Sequence, residues 1–169
     1  VTLNNNNSSI TTLTNNGNIT GSAGTDSGFG IRLSSSATIT NLTNDGIISG
    51  SAVNDEGYGM RLVNSTITTL SNDDTISGTA VNDDGSGIRL ENSTITTLSN
   101  DDTISGTAVT GSDGQGIYVL TGSTMTNLTN DGTISGTAGT NFGGGLLISN
   151  NSTLGTLTNR GTISGTATT

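Results

Sequence analysis

The chain has 169 residues, 28% hydrophobic and 2% aromatic, with 26 Gly and neither Pro nor Cys. Its four basic residues, all Arg, stand against thirteen Asp and Glu for a net charge of -9, which argues against nucleic acid or an anionic membrane as partner. Without Cys, His or Lys there are no disulfide staples, no thiolate metal site, no imidazole base and no Schiff-base amine.

From the N-terminus, Val1-Thr2-Leu3 reads as a short strand, and then one phrase begins that recurs six times: I-x-x-L-x-N, followed by I-x-G-x-A. Its copies open at Ile10, Ile39, Ile67, Ile95, Met125 and Leu154, 28 to 30 residues apart. A fixed period of this size marks stacked repeats, in which no unit buries its apolar face alone. Within the first copy, Ile19-Gly21-Ala23 alternates with polar residues at the strand period of two. A Gly-led strand follows as Gly30-Ile31-Arg32-Leu33, and recurs at Gly59, Gly87, Gly116 and Gly145 with its first and third following residues facing inward. The next S/T-T-I-T segment supplies the third strand. Ile95 and Leu98 lie three apart, so a bend must separate them if both point inward.

Length changes confine themselves to the turns. The step from the Ala to the next Gly-led strand is seven residues in four coils and eight from Ala108 to Gly116, and the step from that Gly to the next copy is eight or nine. These turns are rich in Gly, Asn, Asp and Ser. The absence of Pro suits interior strands that need every N–H. Parallel crossovers are right-handed by a wide margin. The expected fold is all-β, a right-handed parallel β-helix of about six rungs with three short strands per rung, and residues 1–169 form a single repeat region. Both ends of the chain fall in phase with the repeat, as expected for a fragment of a longer solenoid. No apolar run approaches the roughly 20 residues of a membrane span, so this segment is not expected to insert directly.

Four columns recur at one position per rung. Asn15, Asn44, Asn72, Asn100, Asn130 and Asn159 are expected to form a structural amide ladder. One residue on stand Asp45, Asp73, Asp101 and Asp131, with Asn16 and Arg160 in the first and last rungs. Carboxylates stacked about 4.8 Å apart repel, so this column is either a set of solvated turns or a weak Ca²⁺ site. Arg32, Arg61 and Arg89 face outward, each six residues after Asp26, Asp55 or Asp83, which suggests ion pairs between loop and strand. The fourth is a flat face of Thr75, Ser77, Thr79, Thr103, Ser105, Thr107, Thr133, Ser135 and Thr137, the candidate binding face. No unique cluster of acids or bases points to a catalytic centre, and no cofactor is expected.

The stretch Asn150-Asn151-Ser152-Thr153-Leu154-Gly155-Thr156-Leu157-Thr158-Asn159-Arg160-Gly161-Thr162-Ile163-Ser164-Gly165 resembles the repeat of passenger domains of Gram-negative autotransporters, the type V secretion adhesins of enterobacteria. The likeness extends over all six copies. It implies a right-handed β-helix exported through an outer-membrane barrel to the cell surface. It also implies adhesion to a host extracellular-matrix protein such as fibronectin, or self-association with neighbouring cells. The absence of Cys agrees with threading as an unfolded chain. The leading expectation is thus a non-enzymatic surface module, the stalk or adhesive region of an adhesin. Two rivals are an ice-binding solenoid, because the Thr/Ser face resembles the T-x-T arrays of such proteins, and a self-stacking fibre subunit.

Overall fold

The computed structural model describes residues 1–168, and within them every regular element is a strand. The first rung holds β1 (Thr2–Leu3), β2 (Ser9–Asn15) and β3 (Asn18–Ala23), the second β4 (Gly28–Leu33), β5 (Thr38–Asn44) and β6 (Ile47–Ala52). The third is β7 (Gly57–Val63), β8 (Thr66–Asn72) and β9 (Thr75–Ala80), the fourth β10 (Gly85–Glu91), β11 (Thr94–Asn100) and β12 (Thr103–Ala108). The fifth is β13 (Asp113–Leu120), β14 (Thr124–Asn130) and β15 (Thr133–Ala138), the sixth β16 (Phe142–Ile148), β17 (Thr153–Asn159) and β18 (Thr162–Ala167). Every third strand pairs in parallel, so the chain coils into three six-stranded sheets. The first sheet runs from β1 to β16, the second from β2 to β17 and the third from β3 to β18. This is the β-solenoid that the period predicts.

Repeat words stack on themselves. Thr103 lies opposite Thr75 and Thr133, Ile104 opposite Ile76 and Ile134, and Ala108 opposite Ala80 and Ala138. Each apolar position therefore meets its own copy above and below, giving one continuous core from Ile31 to Ile134. Its aliphatic side chains are almost wholly removed from water, each contributing roughly 1.5–3 kcal/mol. Turn residues join the same ladder, as where the Asp73 N–H donates to the Asn44 carbonyl and that of Asp101 to Asn72. The bend expected between the second-sheet Ile and Leu is present. Pairing skips Thr68 and Thr96, and Thr68 and Thr69 are both exposed between buried Ile67 and Leu70.

A second bend lies in the first sheet. Pairing runs from Tyr58 and Ser86 directly to Met60 and Ile88, skipping Gly59 and Gly87. There the first and third sheets touch backbone to backbone. A Cβ on Gly78 would overlap the Ser86 carbonyl oxygen, and one on Gly59 would press on the Ile76 side chain. The coil is closed at this edge because nothing larger than Gly fits.

Candidate functional site

The third sheet carries the predicted binding face, and it is the one sheet whose ladder has no skipped residue in its interior rungs. Alternation holds throughout β9 and β12, so Ile76, Gly78 and Ala80 are buried while Thr75, Ser77 and Thr79 point outward. Thr103, Ser105 and Thr107 follow in register, then Thr133, Ser135 and Thr137. The structure brings all nine together on one outward face, in register. The parity continues one residue past the strands to Val53, Val81 and Val109, which extend the ladder through N–H bonds to Ala23, Ala52 and Ala80. No outward position of this sheet carries a charge. At one margin, however, the Thr75 hydroxyl donates to the Asp74 carboxylate at 3.0 Å and that of Thr103 to Asp102 at 2.9 Å.

The amide ladder forms as expected. Asn15 Nδ2 donates to Asn44 Oδ1 at 2.7 Å, Asn44 to Asn72 at 2.8 Å, Asn72 to Asn100 at 2.7 Å, Asn100 to Asn130 at 2.7 Å and Asn130 to Asn159 at 2.7 Å. The second amide hydrogen turns to backbone carbonyls. For Asn72 these are Asp74 at 2.7 Å and Thr103 at 3.1 Å. The four middle amides are fully buried, so this column is a seam and not a ligand site.

Asp45, Asp73, Asp101 and Asp131 also stack, each N–H bonding to the Asn one rung back. The Asp101 carboxyl is raised above its ordinary value, first by desolvation, then by the hydrogen bond and charge of Asp73 and by the charge of Asp131. At the foot of the column Arg160 Nη1 pairs with Asp131 at 3.0 Å. Among the described residues no group of three or more acidic side chains is gathered closely enough to hold a metal ion. The column is thus a row of solvent-facing turn carboxyls, with Asp101 and Asp73 close enough to share a hydrogen bond.

The Arg column departs from expectation. Arg61 and Arg89 pair with Glu91 and not with the loop acids: Arg61 Nη2 stands 3.0 Å and Arg89 Nε 2.8 Å from Glu91 Oε1. Asp55 and Asp83 instead accept the N–H groups of Glu56 and Asp84, each at 2.8 Å, which holds them in their own turns. The guanidinium groups lie over aromatic rings, with Arg32 5.1 Å from the Phe29 centroid and Arg61 and Arg89 5.4 and 5.5 Å from that of Tyr58. Arg89 is also 5.4 Å from the Tyr118 ring, and Phe29 stacks on Tyr58 at 5.7 Å. Tyr58 is fully buried. Burial pushes its phenol far above the ordinary value, and among the described residues its hydroxyl has no partner. In the same column Ser86 Oγ donates to Gln115 Oε1 at 3.0 Å.

This cluster was hidden by strand arithmetic. Tyr58 and Arg61 are three apart, which places them on opposite faces of a straight strand. The skip at Gly59 turns both to the same side. The usable signal was G-[F/Y]-G-[I/M]-R, an aromatic and an Arg flanking the Gly in two successive coils.

Set against family models, curated proteins and solved structures, the chain matches none.

Proposed function

We propose that this chain is a non-enzymatic module of a bacterial surface protein, the β-helical stalk or adhesive region of an autotransporter passenger, exported across the outer membrane. Its partner is a host extracellular-matrix protein such as fibronectin, or a copy on a neighbouring cell. The observation that carries the reading is the third-sheet face, where one outward Thr-Ser-Thr triplet stands in register over three successive rungs. Repetition of a surface word serves a multivalent contact, whereas catalysis needs one constellation in one cleft. The amide seam beneath it keeps those copies at fixed spacing, which is what a stalk requires. Displayed on the surface of an otherwise non-adherent Gram-negative cell, the chain should confer attachment to fibronectin-coated glass or clumping of the cells. Neither effect, at confirmed surface density, would overturn the proposal.

The in-register Thr and Ser columns of that same face favour a second reading, ice binding. An ice binder loses thermal hysteresis when a bulky side chain interrupts the array, as in Thr103→Tyr with Thr133→Tyr. We expect no hysteresis in the unmodified chain, and ice shaping at micromolar concentration would displace the first reading.

A further inference from the structure

A polar recess lies at the corner between the first and second sheets, and it originates in turn length. The corner turn spans residues 34–37 in the second rung but only Asn64-Ser65 and Asn92-Ser93 in the third and fourth. The longer turns overhang the shorter ones, leaving a cavity of about 680 Å³ with Asn6, Ser35 and Ser36 above and Asn64 and Asn92 behind. Thr38, Thr66 and Thr94 stack along its second-sheet side at rung spacing. The volume falls within the roughly 300–1,000 Å³ of small-molecule sites.

The lining holds neutral amides and hydroxyls, with no charged and no aromatic side chain. Two groups at the corner are already engaged: the Ser65 hydroxyl donates to the Val63 carbonyl at 2.9 Å, and Asn92 Nδ2 donates to Asn64 Oδ1 at 2.5 Å. That pairing leaves the Asn64 amide nitrogen and the Asn92 amide oxygen with hydrogen-bonding capacity. Asn6, Ser35, Ser36, Thr38, Thr66 and Thr94 border the recess with polar side chains that are half-buried or exposed. Ser35, Ser36, Asn64 and Asn92 are held at positive φ, between 48° and 63°. Asn tolerates that conformation better than most side chains, and all four positions place a hydrogen-bonding group at the corner.

We propose that this recess is a binding site for an uncharged oligosaccharide. Such a ligand carries alternating donor and acceptor hydroxyls along its length, which matches a column of amides and a column of hydroxyls repeated at rung spacing. The net charge of -9 disfavours an acidic glycan, and a cationic ligand finds no carboxylate in the lining. Without an aromatic platform the site is a weak one, suited to a glycan offered in many copies. The site is independent of the adhesin reading, because binding in solution requires no cell surface.

The test is a titration of the purified ¹⁵N-labelled chain with cellohexaose, maltohexaose, chitohexaose and, as the charged comparison, a polygalacturonate oligomer, followed by NMR. At least one neutral sugar should shift the side-chain amide signals of Asn64 and Asn92 saturably, and the polygalacturonate should not. Thr66→Val with Thr94→Val keeps the β-branched shape and should weaken that binding at least tenfold. Asn64→Gly with Asn92→Gly removes the amides while keeping the positive φ free of strain, and should do the same. Ser77→Ala on the third sheet should leave affinity unchanged. Absence of saturable shifts with all three neutral sugars overturns the site, as does binding that survives both double substitutions in folded protein.

Discussion

At the scale of single residues, the buried amides and the Tyr58 cluster make opposite demands. Asn72 is bonded on both sides, so Asn72→Ala leaves one Asn44 Nδ2 hydrogen and the Asn100 Oδ1 without their partners. Each orphaned group costs about 1–3 kcal/mol, and the thermal midpoint should fall sharply. Asn72→Asp keeps the shape but aims a carboxylate at the carbonyls of Asp74 and Thr103. That acid is favoured in its protonated form, so its folded pKa rises above the unfolded value. Its stability should be nearest the parent at acid pH and be lost as pH rises through the folded pKa, which melts from pH 3 to pH 7 would show. Tyr58 presents the converse case. Its hydroxyl is buried without a partner among the described residues, so Tyr58→Phe should be neutral or stabilising by about 1 kcal/mol. Tyr58→Ala removes the ring on which two Arg groups rest and should cost about 3–5 kcal/mol. A destabilised Phe variant in denaturant titration would mean that the hydroxyl is bonded after all.

At the scale of elements, each strand has two faces with separate consequences. Ile76→Asp places an unpaired charge in the core, at a cost of several kcal/mol, and should unfold at least the middle rungs. Ser77→Asp, on the outer face of the same β9, should be nearly silent, and circular-dichroism melts of the two variants should differ by tens of degrees. The acidic column belongs to this scale as well, because it is a property of consecutive turns. Asp101 holds its proton more tightly in the fold than in the unfolded chain. The sign follows: the stability linked to that proton is present below the ordinary Asp value, about pH 4, and is lost as pH rises through the raised folded value. Asp101→Asn should therefore raise the melting temperature slightly at pH 7 and leave it unchanged at pH 3. Chelator should leave the parent melt unmoved, since the carboxylates form no closed cage; a drop that Asp73→Asn abolishes would instead establish Ca²⁺ there.

At the scale of the molecule, stability should scale with the number of rungs, since each rung pairs its strands with those of the adjacent rungs. Excising residues 66–93 joins Ser65 to Thr94 and restores the same S-T-I-T word. The five-rung product should fold with a lower melting temperature, and a failure to fold would show that the rungs are not interchangeable. That interchangeability is why so much was legible in the chain itself: a repeat must meet its own copy, so spacing alone determined the period, the three strands per rung, the inward Ile, Leu and Gly positions and the amide seam. What the repeat does not encode is how its columns face one another across a bend. Tyr58 and Arg61 met because Gly59 reverses the side-chain parity, Glu91 replaced the loop acids because those acids bind their own turns, and the corner recess arose because a two-residue turn stacks beneath a four-residue one. Each depends on distances between neighbouring rungs and sheets, quantities that linear spacing does not carry and that only the closed coil decided.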